Sequence, residues 1–345
     1  MLQCHIDATT DPTIWQEVLR EGARLLQAGE LVAFPTETVY GLGANVWDAE
    51  ACARIFAVKG RPEDNPLIVH VASLEQAQDV VACWSEAAQV CAERFWPGPL
   101  TLVLPKNPAI SDVVTGGGDT VAVRVPGHPA ARALIAWAGC PVAAPSANIS
   151  GRPSPTRADH VWEDLGGKIP LIIDGGSCAV GVESTVLDLS AERPVLLRPG
   201  GVTWEELREV LPGFESGGSE FEQRTTAKSP GMKYRHYAPR APIHILAGAP
   251  EERVKEIVAA VQAKKAPLGL LCFTRTAALL EPWVVEALDV LKVFADDDGV
   301  REGAAELFAA MRGCDQENVA LILAEASERG QLGLAYMNRL EKAGE

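Results

Sequence analysis

Basic, hydroxyl and amide side chains gather in six segments, several of them directly after a run that reads as a strand. "FPTETVYGLGANV" (34–46) sets Thr36, Glu37 and Thr38 at the end of "LVAF", and "VKGRPEDNPLIVH" (58–70) supplies Lys59, Arg61, Asn65 and His70. "GGGDTVAVRVPGHP" (116–129) contains Thr120 and Arg124, and "APSANISGRPSPT" (144–156) runs from Ala144 through Ser146, Asn148, Arg152 and Ser154. "GVESTVLDLS" and "LLRPGGV" add Ser184 and Arg198. Guanidinium and ammonium groups recognise carboxylate and phosphate, and small hydroxyls with an amide in a fixed loop suit phosphate or sugar. The chain contains no Walker A sequence, no paired carboxylates, no Ser/His/Asp set, and neither a GxSxG nor a Ser-x-x-Lys arrangement at Ser146. These residues point to an enzyme that acts on an anionic small molecule by positioning and electrostatics.

Each group also has a plainer reading. Lys59 and Arg61 sit where bases offset a helix dipole, although the prolines and glycine around them make a more rigid presentation than a C-cap requires. Arg124 lies among valines, so it must be paired, either with an internal acid or with a ligand carboxylate. His70 closes a buried strand, as core histidines do. Gly41 and Gly43 form a GxG without a third glycine, which fits a tight turn at least as well as a nicotinamide site. Gly116–Gly118 either bring backbone N–H groups to a ligand or are merely flexible.

The elements that must position these residues are legible in outline. Asp11-Pro12 starts a helix over "TIWQEVLREGARLLQ" that Gly29 ends. Asp48 caps "DAEACARIFAVK", and Ser73 with Gln76 suggests a capping box. "LVAF", "LIVHV", "LTLVL", "TVAVRV", "PVAA", "LIID", "STVLDL" and "PVLL" read as strands, which predicts a strongly twisted sheet of α+β or α/β type. "TWEELREVL" is a helix before "GFESGGSEFEQRTTAKSPG", a linker by composition. The pattern restarts with strand "PIHILA", helix "EERVKEIVAAVQ" and strand "PLGLLCF". A helix-rich stretch then holds "LDVLKVF", "REGAAELFAAMR" and "NVALILAEA". That alternation predicts a small, mostly parallel, Rossmann-like sheet. The expected domains are 1–213, a linker over 214–240, and 241–345.

Composition bounds the function. The 345 residues carry 31 bases and 46 acids, a net charge of −15, which disfavours tight non-specific nucleic-acid binding. Residues 1–213 hold 15 bases and 26 acids, whereas Gln223–Arg240 holds Arg224, Lys228, Lys233, Arg235 and Arg240 with no acid. Within that run, "SPGMKYRHYAP" adds tyrosines that a plain tether lacks. No apolar run is long enough to span a membrane. The eight cysteines form no CxxC pair, which argues against a zinc site or a disulfide framework. Reduced thiols and an N-terminus without a signal pattern predict a cytoplasmic protein with no membrane association.

Six ordered motifs, "FPTETVYGLGANV", "KGRPEDNPLIVHV", "FWPGPLTLVL", "TVAVRVPGHP", "PSANISGRPSPT" and "ESTVLDL…LLRPGGV", resemble the YrdC-like domain of threonylcarbamoyl-AMP synthases. "SPGMKYRHYAP" followed by an α/β domain is similar to the two-domain form of that family. The resemblance covers essentially the whole chain. It implies a YrdC-like twisted mixed-sheet α/β domain, a linker and a small Rossmann-like domain. The implied reaction joins L-threonine, bicarbonate and ATP, with Mg2+, into threonylcarbamoyl-AMP and pyrophosphate. The product serves N6-threonylcarbamoyladenosine formation on tRNA through a separate transfer complex.

By motif, the resemblance assigns threonine to Thr36, His70, Arg124, Ser184 and the backbone near Ala144. It assigns ATP to Lys59, Arg61, Asn65, Thr120, Ser146, Asn148, Ser154 and Arg198, with Lys59 and Arg61 also polarising bicarbonate as the catalytic pair. In the family the linker closes over the site, which implies that Tyr234 and His236 reach the nucleotide. Two other readings stand beside this one. Five linker bases suit weak RNA binding, which the overall charge opposes. A related domain occurs in hydrogenase maturation proteins, but their zinc-finger CxxC pairs are absent from this chain.

Overall fold

In a computed structural model, residues 2–5, 12–212, 214, 237–295, 300–328 and 330–344 are described. They divide into two units, Met1–Ser150 with Ser154–Tyr234, and Gly151–Pro153 with Arg235–Glu345. Asp11 and residues 215–236, with Lys233, Tyr234, Arg235 and His236, lie outside the described residues.

The first unit is built on strands β1 (Leu2–His5), β2 (Val32–Phe34), β3 (Gly41–Asn45), β4 (Ile68–His70) and β5 (Leu100–Pro105), then β6 (Thr120–Arg124), β7 (Val142–Ala143), β8 (Leu171–Asp174), β9 (Thr185–Asp188) and β10 (Val195–Arg198). Their order is β1-β8-β2-β3-β7-β4-β6-β5-β9-β10. The sheet is mixed: β2 runs parallel to β8, β4 to β6 and β5 to β9, while β3, β7 and β10 pair antiparallel. Helices α1 (Pro12–Gln27), α2 (Ala49–Lys59), α3 (Leu74–Val80), α4 (Glu86–Phe95), α5 (Asp112–Thr115), α6 (Pro129–Ala138), α7 (Ala158–Leu165) and α8 (Trp204–Val210) accompany it.

Burial on both faces explains why the strands read as continuous apolar runs rather than alternations. Val32 and Phe34 join a core with Leu19 and Leu26 of α1 and Leu134 and Ile135 of α6, while Ala33 joins the larger core with Ile55, Phe56, Val69 and Val123. Two caps fix α2: Asp48 accepts the Ala51 N–H at 2.9 Å, and Gly60 ends the helix in the left-handed region. Lys59 is therefore the last residue of that helix, and Arg61 follows its cap. Thr203 and Glu206 form a capping box on α8.

Gly41 and Gly43 are strand residues, not a turn. A Cβ on Gly43 would lie 2.7 Å from Val142 Cγ1 and 2.8 Å from Phe34 Cε1, so close packing across the sheet demands them. Gly116 is the left-handed cap of α5, packed on the Asp64 backbone, which gives the triple glycine a structural task.

The second unit has β11 (Ile243–Leu246), β12 (Leu268–Phe273), β13 (Val290–Phe294) and β14 (Leu321–Glu325), all parallel in the order β11-β14-β12-β13. Its helices are α9 (Pro250–Gln262), α10 (Thr274–Ala277), α11 (Pro282–Glu286), α12 (Arg301–Gln316) and α13 (Gly333–Gly344). The sheet is the Rossmann-like one expected, with one correction. "LDVLKVF" and "NVALILAEA", grouped with helices in the sequence reading, contain β13 and β14. Short apolar runs fit a buried helix or a buried strand equally well, and here pairing to β12 decides. Among the described residues, no helix is long and apolar enough to cross a membrane.

Candidate functional site

His70 and Arg124 are partners across the parallel β4–β6 ladder, and both are buried. Arg124 makes three hydrogen bonds: Nε donates to the Gly98 carbonyl at 3.1 Å, Nη1 to Thr38 Oγ1 at 2.9 Å and Nη2 to Glu37 Oε1 at 2.6 Å. A guanidinium has five N–H groups. One on each terminal nitrogen is left over, the arrangement a carboxylate can bridge. The sequence left open whether Arg124 meets an internal acid or a ligand; the structure supplies the acid and keeps two donors in hand.

The turn after β2 anchors this arginine through a directed chain. Thr36 Oγ1 donates to the Val39 carbonyl at 2.6 Å and accepts from the Thr38 and Val39 N–H groups. Its one proton being committed, Thr38 is the donor in their 2.8 Å contact, and Arg124 in turn donates to Thr38. The Thr36 hydroxyl therefore holds the turn in shape. Glu37 reaches Arg124, and its own carboxyl is held below the ordinary range despite burial, mainly through the Arg124 charge.

His70 Nδ1 lies 3.2 Å from the Ile68 carbonyl, an acceptor, so the proton sits on Nδ1 and Nε2 carries the lone pair. Burial, then the Arg124 charge, pushes the imidazole down to about 3, so it is neutral. The Ala144 N–H donates to the Ile68 carbonyl at 2.8 Å, so what this residue can present to a ligand is its carbonyl.

A second cluster surrounds Ser184, just before β9. Arg198, at the end of β10, donates to the Ser184 carbonyl from Nε at 3.1 Å and from Nη2 at 2.9 Å, and Nη2 reaches Ser184 Oγ at 3.1 Å. The Ser184 hydroxyl also contacts Thr101 Oγ1 at 2.8 Å. Gly200 makes this possible. A Cβ there would sit 2.3 Å from the Glu183 carbonyl oxygen and 2.4 Å from the Thr185 nitrogen. Ser154 donates to Glu183 at 2.5 Å, which ties the fourth sequence segment to the fifth.

The third cluster is the end of α2. Lys59 Nζ donates to the Ser146 and Asn148 carbonyls, both at 2.5 Å, and Asn148 Oδ1 accepts from Ser146 Oγ at 2.5 Å. Tyr40 N–H donates to the Pro155 carbonyl and Ala147 N–H to Tyr40, so the 34–46 and 144–156 segments run side by side. Arg61 donates to the Asn65 carbonyl at 3.1 Å and the Pro66 carbonyl at 2.9 Å. Extending the Ile68–Ala122 register by two residues puts Thr120 level with Pro66. Thr120 and Arg124 are therefore at opposite ends of β6, about 13 Å apart.

The predicted residues thus form separate sets. His70 and Arg124 lie at the carboxyl ends of β4 and β6, with Thr36 linked to Arg124 through Thr38, whereas Ala144 is level with Ile68 at the start of β4, and Arg61, Asn65 and Thr120 lie toward that starting end. Lys59, Ser146 and Asn148 form one linked set, and Ser154 joins the Ser184–Arg198 set through Glu183. Arg152 falls in Gly151–Pro153, which groups with the second unit. The sequence reading passed over Thr101 and Glu183. Thr101 carried a usable signal, a hydroxyl within the apolar run "LTLVL" that is fully buried and must find a partner.

A family model described as "Telomere recombination" matches residues 24–200, and one described as "Threonylcarbamoyl-AMP synthase, C-terminal domain" matches 202–344. The chain is 49% identical over 329 residues to the threonylcarbamoyl-AMP synthase of Pyrococcus abyssi, covering 94% of this chain and 93% of that protein. It is 46% identical over 337 residues to the threonylcarbamoyl-AMP synthase of Bacillus subtilis, covering 97% and 94%. The crystal structure of P. abyssi Sua5 complexed with L-threonine superposes with a TM-score of 0.89 at 46% identity, over 100% of this chain and 98% of that one. With both units matched over nearly their whole length, the chain belongs to the threonylcarbamoyl-AMP synthase family.

Proposed function

We propose that this chain condenses L-threonine, bicarbonate and ATP into threonylcarbamoyl-AMP and pyrophosphate, with the site of the first unit carrying the reaction. The observation that carries this reading is Arg124, a buried guanidinium held on three sides and keeping one N–H on each terminal nitrogen for a carboxylate. The relative of known structure with L-threonine bound supports the choice of amino acid.

Threonine docks its carboxylate on Arg124, beside the Nε2 acceptor of a neutral His70 and the Ala144 carbonyl, with Ser184 completing the pocket. Thr36 shapes the turn that carries Thr38 against Arg124. ATP lies along Lys59, Ser146, Asn148, Ser154 and Arg198, with Arg61, Asn65 and Thr120 toward the far end of β6. The unprotonated threonine amine attacks bicarbonate carbon; a C–O bond of bicarbonate breaks, water leaves with the amine proton, and the carbamate remains. A carbamate oxygen then attacks the α-phosphorus, and pyrophosphate leaves with the electron pair of the broken P–O bond. Lys59 and Arg61 polarise bicarbonate and offset charge on the phosphates. Such a displacement needs alignment and charge neutralisation more than a protein nucleophile. Mg2+ enters with ATP as part of the substrate, held by phosphate oxygens and water. Among the described residues, no group of three or more His, Cys, Asp or Glu converges to hold an ion, so no side chain is assigned to it.

Tyr234 and His236 lie outside the described residues; the family resemblance assigns them to the nucleotide, a role that would exclude water from the labile carbamate and mixed anhydride. The product passes to a separate tRNA-modifying transfer complex, and any weak contact with RNA falls to the basic run 223–240. The decisive experiment is pyrophosphate release with MgATP, L-threonine and bicarbonate, each omitted in turn. Release that needs all three is expected. No release, or release indifferent to threonine, overturns the reading.

A further inference from the structure

Arg312 lies inside α12 and is 1% exposed. Helical spacing sets it on one face with Phe308 and Asp315, both buried. An arginine in the interior needs partners for its charge and its N–H groups. Arg312 gives two of those groups to a single backbone oxygen: Nε donates to the Pro153 carbonyl at 3.2 Å, and Nη2 donates to the same carbonyl at 2.6 Å. The Ala238 N–H donates to the Gly151 carbonyl at 2.8 Å. Gly151–Pro153 is thereby held at both ends, with every partner inside the second unit. Asp315 shares the field of Arg312. Burial pushes its carboxyl up, while the Arg240 N–H and the charges of Arg152, Arg240 and Arg312 draw it down.

The three held residues are the middle of the segment 144–156. Ser146 and Asn148 precede them in the chain, and Ser154 follows directly. The Pro153 carbonyl and the Ser154 N–H belong to one planar trans peptide. A carbonyl fixed by two donors therefore fixes the direction of the Ser154 N–H. Pro155, on the other side, disfavours a helical backbone at Ser154. The Ser154 hydroxyl is tied to Glu183 at 2.5 Å. Upstream, the Ser150 N–H donates to the Lys59 carbonyl at 2.9 Å, so the stretch leaves the end of α2 from a fixed point.

We infer that Arg312 is a positioning residue for the nucleotide: by clamping the Pro153 carbonyl it sets the Ser154 peptide in the segment that carries ATP, which gives α12 a task in the reaction. This inference rests on the reading of ATP as a substrate held along Ser146, Asn148 and Ser154. Arg312 acts through the loop and is assigned no contact with a substrate.

The test follows pyrophosphate release against MgATP concentration for the full-length wild type, Arg312→Met and Arg312→Lys, with threonine binding measured beside it by calorimetry. Methionine suits a helix interior and fills space, but it offers Pro153 no donor. Hydrogen bonds from a charged group make the expected rise in the KM for ATP about 10-fold, with kcat changed less than about twofold, because the loop is set alike for ground state and transition state. Arg312→Lys keeps one charged donor in place of the fork, so its expected rise is about threefold. Threonine affinity should be unchanged in both variants, since Arg124 and His70 are held by other partners. An Arg312→Met protein with the wild-type KM for ATP overturns the inference. So does one in which ATP and threonine are weakened alike, because loss of the charge beside Asp315 then acts on the fold alone. Should Arg312→Met fail to fold, Arg312→Lys carries the same test, and a lysine variant that also fails to fold overturns the inference. Wild-type protein that releases no pyrophosphate overturns the proposed reaction and this inference with it.

Discussion

His70 shows how one buried group can be followed from chemistry to a measurable quantity. Its ordinary value is 6.5, and burial with the neighbouring Arg124 charge lowers it to about 3. Between those values the unfolded chain binds a proton that the folded chain refuses, so stability falls as pH is lowered through that window. One proton corresponds to about 1.4 kcal/mol per pH unit. His70→Gln should flatten the acid limb of stability by that slope between about pH 6.5 and 4, read by urea unfolding across pH; parallel slopes for the two proteins count against a neutral His70. Thr38→Val tests the chain that holds Arg124. It removes the acceptor of Nη1, costs roughly 1–3 kcal/mol of stability, and should raise the threonine KM while changing kcat less. An equal fall in kcat with unchanged KM contradicts that role. At this scale the sequence was half legible. A valine-flanked arginine announces that it needs a partner, but nothing in the chain says that the partner is Glu37, 87 residues away.

Elements place those residues by contacts that local pattern does not encode. Gly200 is the sharpest case, since its absent side chain lets "RPGG" lie against the backbone of 183–185 and brings Arg198 onto Ser184. Gly200→Ala forces backbone against Cβ, and overpacking of this kind costs roughly 1–3 kcal/mol or more. The expected result is a lowered melting temperature together with a raised KM for ATP, because Arg198 moves. A variant that melts as the wild type does shows that the loop yields freely. Helix starts were legible because a cap is a local event: Asp48 and Ser73 accept the N–H bonds their positions promised, although the expected box at Ser73 stays half formed because Gln76 Oε1 accepts from Ala72 N–H, not from Ser73. The glycines of β3 were misread because packing on Phe34 is not local, and β13 and β14 were obscured because pairing, not periodicity, makes them strands.

At the scale of the whole molecule, charge is the governing feature. A chain of net charge −15 must admit a polyanionic nucleotide. The bases of the site lie inside, and like charge over the rest of the surface slows the approach of an anion. The run 223–240, with five bases and no acid, is the part of the sequence suited to offset that repulsion. Replacing Lys233 and Arg235 together by Gln should raise the KM for ATP several-fold at low ionic strength. At about 0.5 M salt, where the Debye length falls well below 10 Å, the gap between variant and wild type should narrow. The KM for threonine, a zwitterion without net charge, should move little at either salt. Steering by these two bases thus carries a double signature, one substrate affected and salt dependence confined to it. A loss equal at both salts and for both substrates means instead that Lys233 and Arg235 support the fold, and the attraction of ATP then falls to Lys59, Arg61 and Arg198 within the site.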